Sequence, residues 1–311
     1  MTMAAPIGVL VMAYGGPNSL DEVEPYLLDV RGFRTTPADV VEEVRSRYAA
    51  IGGRSPILER TEAQARALQA ALTGNGHSFS AIVGMRHWRP RIRTALARFD
   101  AMGAAGVVGV VMAPHYSRMS VDRYFEQVEE ARGGLAVAAI EQWHLLPGYL
   151  EALAQRIREG IARFPVPARE DVAVLFTAHS LPQRILEWAD PYPEQLAATV
   201  QAVLPRLGAT PRQHRFAYQS AALTRDPWLG PDAGTVLDEL AAAGHRHVLV
   251  APIGFTCEHV EVLYDLDIEL RRRAVALGVQ LERIDMVNDH PAMIAGLAAL
   301  VRDTAQQRGW L

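Results

Sequence analysis

The sequence predicts an α/β protein built from two similar domains, each a four-stranded parallel sheet flanked by helices. Three observations carry that prediction. Short, continuously apolar runs rich in β-branched residues alternate with segments of helical period, the pattern of strands covered on both faces. Two of these runs end alike: "VLVMAYGGP" (Val9 to Pro17) and "VLFTAHSLP" (Val174 to Pro182) both read V-L-x-x-A-(Tyr or His)-x-x-P. A second pair recurs later in each half, "VVMAPHYS" (110–117) and "VLVAPIGFT" (248–256).

In order, the predicted strands are 7–13, 79–86, 107–113 and 135–142, then 172–178, 215–221, 247–253 and 279–286. Helical periodicity falls at 37–50, 57–73, 91–101, 120–132, 147–163, 193–204, 233–243, 258–275 and 291–306. The first strand of each set closes on the Ala-(Tyr/His) turn and the third on an Ala-Pro turn, so the halves read as a duplication. The expected division is 1–145, 146–288 and a C-terminal helix, 289–311, packed back on the first half. In open α/β sheets, ligands bind beyond the carboxyl ends of the strands. Tyr14, His115, His179 and Glu261 fall at or just past such ends. If the halves face each other, Tyr14 and His179 address one cleft.

Composition removes several function classes. The chain has 311 residues, is 50% hydrophobic and 21% charged, and carries a formal net charge of -4 with no basic block. Nothing points to nucleic acid. No apolar run approaches the roughly 18 residues of a membrane span. The start lacks the basic n-region and cleavage site of a signal peptide, so no stable membrane insertion and a cytoplasmic location are expected. All 31 basic residues are arginine. Lysine Schiff-base and P-loop mechanisms are therefore excluded. No G-x-G-x-x-G follows a strand, since "AIGGRSP" (50–56) comes after a helix. The single cysteine, Cys257, excludes internal disulfides and Cys-only metal clusters within one chain.

The most informative segment is "GFTCEHVEVLYDLDIEL", Gly254 to Leu270. Glu261, Asp265 and Glu269 stand four apart, which on an α-helix forms one stripe, each residue about 40° round from the last. Val260, Leu263, Leu266 and Leu270 are the expected apolar side. A solvated acidic face, balanced by Arg271, Arg272 and Arg273, is the simplest meaning of such a stripe. This one begins at a strand's carboxyl end beside His259. A column of carboxylates leading into a cleft suits the passage of a divalent cation or of protons, and carboxylate plus imidazole suits iron or zinc. His87, His115 and His259 lie at comparable strand ends. For His87 and His115 an ordinary hydrogen-bonded ring is the expectation. His77, His214, His245 and His247 carry no signal.

Eight ordered segments then match a known family: "RYAAIGGRSPI", "GMRHWRP", "MAPHYSRMSVDRY", "FTAHSLP", "DPYP", "YQS", "PWLGP" and "GFTCEHVEVLYDLD". Over essentially its whole length the chain resembles ferrochelatase. The resemblance implies two Rossmann-like halves around a porphyrin cleft. "VMAYGGP" is similar to the coproporphyrin III branch, which has a tyrosine at the position of Tyr14, where protoporphyrin enzymes more often have an Asn-Met-Gly-Gly-Pro run. By resemblance, His179 and Glu261 are the paired metal-site and proton-accepting residues, Asp265 and Glu269 the acidic conduit, and Tyr14 the ligand to iron in the product. Arg31, Arg47, Tyr48, Ser55 and Tyr124 match porphyrin- and propionate-contacting positions. The chain departs from the commoner Ser-Asp-His or Ala-Asp-His in having Cys257-Glu258-His259. A [2Fe–2S] cluster, carried on four cysteines by some members, has no ligands here. The expectation is thus a monomer taking Fe²⁺ and coproporphyrin III, with no further cofactor and a transient contact with the downstream coproheme decarboxylase.

Metal insertion requires that Fe²⁺ shed water, that the ring bend, and that two pyrrole protons leave. Imidazole and carboxylate can replace water without holding iron too tightly. Bending uses binding energy as strain. A neutral imidazole, with a reference pKa of about 6.5, suits proton removal near neutrality. A tyrosine ligand needs a nearby cation to ionise, and Arg47 is one candidate; Arg34 and Arg45 read as helix-surface arginines. Other expectations remain open at this point: a protoporphyrin IX ferrochelatase, a cobalt or nickel chelatase of similar fold, and a tetrapyrrole-binding carrier without catalysis.

Overall fold

A computed structural model describes residues 5–74, 78–208, 211, 213–222 and 226–311. His77 lies outside these. Eight parallel strands form two sheets of identical topology, β2-β1-β3-β4 and β6-β5-β7-β8. The strands are β1 (Ile7–Ala13), β2 (Phe79–Met85), β3 (Gly106–Val111), β4 (Val137–Ile140), β5 (Ala173–His179), β6 (Gln213–Gln219), β7 (His247–Pro252) and β8 (Gln280–Arg283). Every predicted strand is present. The observed strands β4 and β8 are shorter than predicted, because apolar burial continues past the last ladder pair: Ile284, Met286 and Val287 are buried beyond β8 without strand pairing.

β1 and β5 are the central strands through which each sheet is built. Val11 sits opposite Val83 and Val110, and Phe176 opposite Phe216 and Ala251. All seven residues of β1 are buried, which is why it reads as an unbroken apolar run. Each fully buried Val or Leu contributes about 1.5–3 kcal/mol relative to exposure. Ala13 ends β1 and Ala178 stands one residue before the end of β5, both at the same place of the shared sequence pattern, so Tyr14 and His179 occupy matching positions of the duplicated unit.

The helices are α1 (Val23–Val30), α2 (Ala38–Ala50), α3 (Ile57–Leu72), α4 (Ile92–Ala101), α5 (Val121–Ala131), α6 (Pro147–Ala162), α7 (Tyr192–Val203), α8 (Ala233–Ala242), α9 (Val260–Leu263), α10 (Arg271–Ala276) and α11 (Pro291–Gln307). The sequence reading missed α1. Its Pro25 argues against a helix, but it falls in the first turn, where the missing N–H has no intrahelical acceptor anyway. The predicted 258–275 helix is interrupted: a π-helical turn, Asp265–Leu270, joins α9 to α10.

The C-terminal helix packs on both halves rather than on the first alone. α11 lies against α6 as well as α3, β3 and β4. At Gly148, the start of α6, an added Cβ would stand 2.0 Å from the Ala292 carbonyl oxygen, so the helices meet backbone to backbone. Trp310 covers Gly106 of β3. One continuous core runs from Val9 and Val11 through α6 and α11 to Val174 and Phe176. Among the described residues no helix is long and apolar enough to cross a membrane.

Candidate active site

Parallel strands deliver their carboxyl ends to one edge of each sheet, and the chemistry-bearing residues collect there. Tyr14 follows β1, Arg86 and His87 follow β2, His179 ends β5, Gln219 and Ser220 close β6, and the segment after β7 runs into Glu261.

His179 Nδ1 lies 3.2 Å from Glu261 Oε2, with side-chain exposures of 30% and 35%. The contact is an ion pair rather than an aligned hydrogen bond, because Nδ1 has no partner in hydrogen-bond geometry. The strand end is fixed by Tyr192, whose hydroxyl donates to the His179 carbonyl at 3.0 Å. Burial opposes charge on both groups, yet each partner's charge outweighs it: the His179 pKa is raised above 6.5, and that of Glu261 falls to about 2. His259 caps the helix that carries Glu261, its Nδ1 accepting from the Glu261 N–H at 3.3 Å. Burial, ahead of the opposing pull of Glu261, lowers the His259 pKa. Its Nε2 is buried without a hydrogen-bond partner.

The π-helical turn bears directly on the acidic ladder. In an α-helix the residue four on overshoots by about 40°. A π turn closes its hydrogen bond one residue later, so the residue four on falls short instead. The Glu269 N–H donates to the Tyr264 carbonyl, five residues back, at 2.9 Å. Overshoot from Glu261 to Asp265 is thereby offset from Asp265 to Glu269. The buried stripe is Val262, Leu266 and Leu270, also four apart, rather than the expected Val260 and Leu263. Asp265 accepts from the Ser220 hydroxyl. Burial, supported by the charges of Glu261 and Glu269, raises its pKa to about 6 against the opposing Ser220 hydrogen bond and Arg47. Glu269 is exposed at the outer end. On the opposite side Arg283 holds Asp267 with two contacts of 2.8 Å.

Tyr14 has a different set of neighbours. The His87 ring lies 4.7 Å from its ring, and His87 is oriented by Asp29, at 2.9 Å from Nδ1. Asp29 also pairs with Arg91. At Gly15, φ is +95° and an added Cβ would stand 1.8 Å from the His87 carbonyl oxygen, so this turn accepts glycine alone. Crowding in the concave site pushes the Tyr14 phenol up to about 12, with the charges of Glu261 and Asp29 adding to the rise and Arg86 opposing it; 39% of the residue is nonetheless exposed.

The cation beside Tyr14 is Arg86, not Arg47. Arg86 Cζ sits 5.6 Å from the Tyr14 ring centre. Arg47 is engaged elsewhere: it bonds Glu43 one turn back at 2.7 Å, approaches Asp265 at 3.7 Å, and covers the Tyr264 ring at 5.2 Å. Arg31 is exposed at the end of α1. Tyr48 is buried. Ser55 is buried, its hydroxyl accepting from the Ile57 N–H at 3.4 Å. Tyr124 is buried in the first-half core, its ring 5.5 Å from Arg86. His87 and His115 have the hydrogen-bonded rings expected of them, the latter through Thr199 at 2.8 Å.

Sequence reasoning passed over Arg86, Gln219 and Ser220, although "GMRHWRP" and "YQS" both sit at strand ends. Gln219 is buried and joins three elements: it accepts from Thr177 at 2.8 Å and donates to the Glu261 carbonyl at 2.9 Å, while its own carbonyl takes the Ser180 N–H. The site thus offers an imidazole–carboxylate pair backed by an acidic path to the surface, together with a phenol flanked by a guanidinium.

The match to known proteins agrees with that chemistry. The ferrochelatase family model matches residues 6–305. A ferrochelatase of Herpetosiphon aurantiacus is 42% identical over 304 residues, covering 96% of this chain and 99% of the relative. One of Deinococcus radiodurans is 40% identical, covering 99% and 98%. A coproporphyrin III ferrochelatase of Geobacillus kaustophilus is 37% identical, covering 94% of each. In fold, the chain is similar to SirB from Bacillus subtilis with Fe³⁺, at TM-score 0.57 and 12% identity over 98% of both chains. With its two four-stranded parallel sheets and a family match across both, the chain belongs to the ferrochelatase family, enzymes that insert a metal ion into a porphyrin.

Proposed function

We propose that this enzyme inserts Fe²⁺ into coproporphyrin III to give coproheme, releasing two pyrrole protons. The observation that supports this substrate is Tyr14, placed at the strand end equivalent to His179 and flanked by a guanidinium, as a tyrosine ligand to product iron requires. Relatives named coproporphyrin III ferrochelatase at 35–37% identity point the same way.

In this reading His179 and Glu261 replace water on incoming Fe²⁺ and receive the pyrrole protons. Imidazolium and carboxylate stabilise each other, so the pair holds a proton more tightly than a free imidazole does. That proton must leave before the imidazole can act as donor or base. Asp265 and Glu269 carry protons outward, and the same carboxylates guide the cation inward. Asp265, with a pKa of about 6, is poised to exchange a proton near neutrality. The cleft needs no resident cofactor; Fe²⁺ is substrate, and Cys257 is the sole cysteine of the chain.

An anaerobic assay with Fe²⁺ that compares coproporphyrin III with protoporphyrin IX, following loss of the free-base bands, tests the substrate. Preference for coproporphyrin III is expected. Equal or inverted preference would remove the coproporphyrin assignment while leaving porphyrin metallation in place. Cobalt and nickel salts in the same assay test the metal.

A further inference from the structure

We propose that Arg86 is the positioning residue for Tyr14: its guanidinium, held between the rings of Tyr14 and Tyr124, fixes the phenol and supplies the positive charge opposite its oxygen when that oxygen ligates product iron. The inference rests on the proposed role of Tyr14 and adds the group that makes that role possible.

The geometry is a clamp. Arg86 Cζ lies 5.6 Å from the Tyr14 ring centre and 5.5 Å from that of Tyr124, both within the range of cation–π attraction. Among the described residues, no carboxylate stands within ion-pair distance of this guanidinium, and no hydrogen bond to it is made. Each of the other half-buried arginines among the described residues has such a partner. Neighbouring Arg91 pairs with Asp29, and Arg47 reaches both Glu43 and Asp265. A half-buried arginine left without an anion retains its charge for whatever negative group forms beside it.

The backbone fixes Arg86 where it stands. Its N–H donates to the Ala13 carbonyl at 2.9 Å, and the next N–H, of His87, donates to the Tyr14 carbonyl at 2.8 Å. These two bonds extend the pairing of β1 with β2 past the strand ends, so Arg86 and Tyr14 are adjacent whatever their side chains do. Tyr124, from the buried face of α5, closes the other side. The Tyr14 hydroxyl makes no hydrogen bond among the described residues, so the ring is held by packing against His87 and Arg86.

An anionic phenolate bound to iron carries charge into a site where Glu261 and Asp29 are already negative. Without a cation that arrangement is repulsive. Arg86 is the group placed to offset it.

The test compares Arg86→Leu, Arg86→Lys and Tyr14→Phe with the unaltered enzyme, reading the visible spectrum of bound ferric product, its release rate, and KM and kcat for coproporphyrin III. Arg86→Leu should shift the product spectrum toward that of Tyr14→Phe and speed release by tenfold or more, with KM for the porphyrin within about twofold. Arg86→Lys keeps the charge without the planar stacking surface, and should restore part of the spectrum. If Tyr14→Phe changes the spectrum and both Arg86 variants leave it untouched, the inference fails while the ligand role of Tyr14 stands. If Tyr14→Phe itself changes nothing, the ligand role fails first. A raised KM with an unchanged product spectrum would assign Arg86 to a substrate carboxylate and overturn the proposal.

Discussion

His179 Nδ1 and Glu261 Oε2 lie 3.2 Å apart, and each holds the other in its charged form against burial. The pair titrates as a unit, and in the proposed mechanism its acid form is not the working one. Turnover should therefore fall on the acid side with an inflection above 6.5, the ordinary imidazole value. Glu261→Gln removes the main cause of the rise and leaves burial opposed by the Asp265 charge alone, so the inflection should move to lower pH. The position of the limb in kcat/KM against pH is the readout, whatever the height of the curve. An unmoved limb would dissociate His179 from Glu261. For stability the signs are opposite. The His179 contribution is present below 6.5 and is lost as pH rises through its folded value. The Glu261 contribution is present above 4.5 and is lost as pH falls through about 2.

Asp265 stands between this pair and exposed Glu269, and its pKa of about 6 makes the proposed conduit pH-sensitive. The apparent KM for Fe²⁺ should rise as pH falls through that value, because a protonated carboxyl no longer attracts the cation. Ser220 donates to Asp265 and favours its ionised form. Ser220→Ala should move the rise in KM to higher pH, with porphyrin KM unchanged. Superimposable profiles would show that Asp265 does not carry the metal. The shift also means that the native state binds this proton more tightly than the unfolded chain, so the Asp265 contribution declines as pH increases from 3.8 to about 6.

Gly15→Ala tests the turn that seats Tyr14. At φ +95° an alanine is strained, and its Cβ would meet the His87 carbonyl at 1.8 Å. Backbone strain of this kind costs about 1–3 kcal/mol before any clash is counted. Thermal unfolding should show the loss, and the product spectrum should change with it, because Tyr14 and His87 cannot both keep their places. A variant with the parent's Tm and spectrum would contradict the turn geometry.

The duplicated turns at Tyr14 and His179, the eight strands and the acidic ladder were all legible in the sequence, because burial and strand-end position write themselves into residue pattern. The break in the ladder helix was not read, although a sign of it was present. Glu261, Asp265 and Glu269 recur every four residues, as do Val262, Leu266 and Leu270. Such a repeat drifts about 40° per step on a regular α-helix, and two parallel stripes that do not drift require a wider turn. Arg47 is the cation the sequence suggests as a candidate beside Tyr14, and it stands elsewhere. Only the pairing of β1 with β2 brings Arg86 there instead, and long-range strand pairing leaves no local mark. Asp29 was missed for the same reason: its partners His87 and Arg91 come from a distant turn.

His115 and Thr199 join the two halves at a point where both are buried, with Nε2 2.8 Å from Oγ1. The Thr199 hydroxyl also lies 3.1 Å from the Gln195 carbonyl and 3.3 Å from the His144 carbonyl, so it is shared among three groups. His115 Nδ1 has no hydrogen-bond partner, which leaves Thr199 as the ring's one side-chain contact of this kind among the described residues. Burial, with His144 nearby, keeps this ring neutral and lowers its pKa to about 3. Thr199→Val preserves volume but leaves the buried His115 Nε2 without its partner, which costs about 1–3 kcal/mol. Urea unfolding should report that loss at neutral pH, with Fe²⁺ and porphyrin KM values unchanged, because the latch carries no charge and touches no proposed ligand. The acid side gives a second check. Below 6.5 the unfolded chain takes a proton on His115 that the native state refuses, so stability falls as pH drops from 6.5 toward 3. His115→Gln, which cannot protonate, should flatten that part of the curve. A curve identical to the parent's would mean that another group governs acid unfolding of the junction.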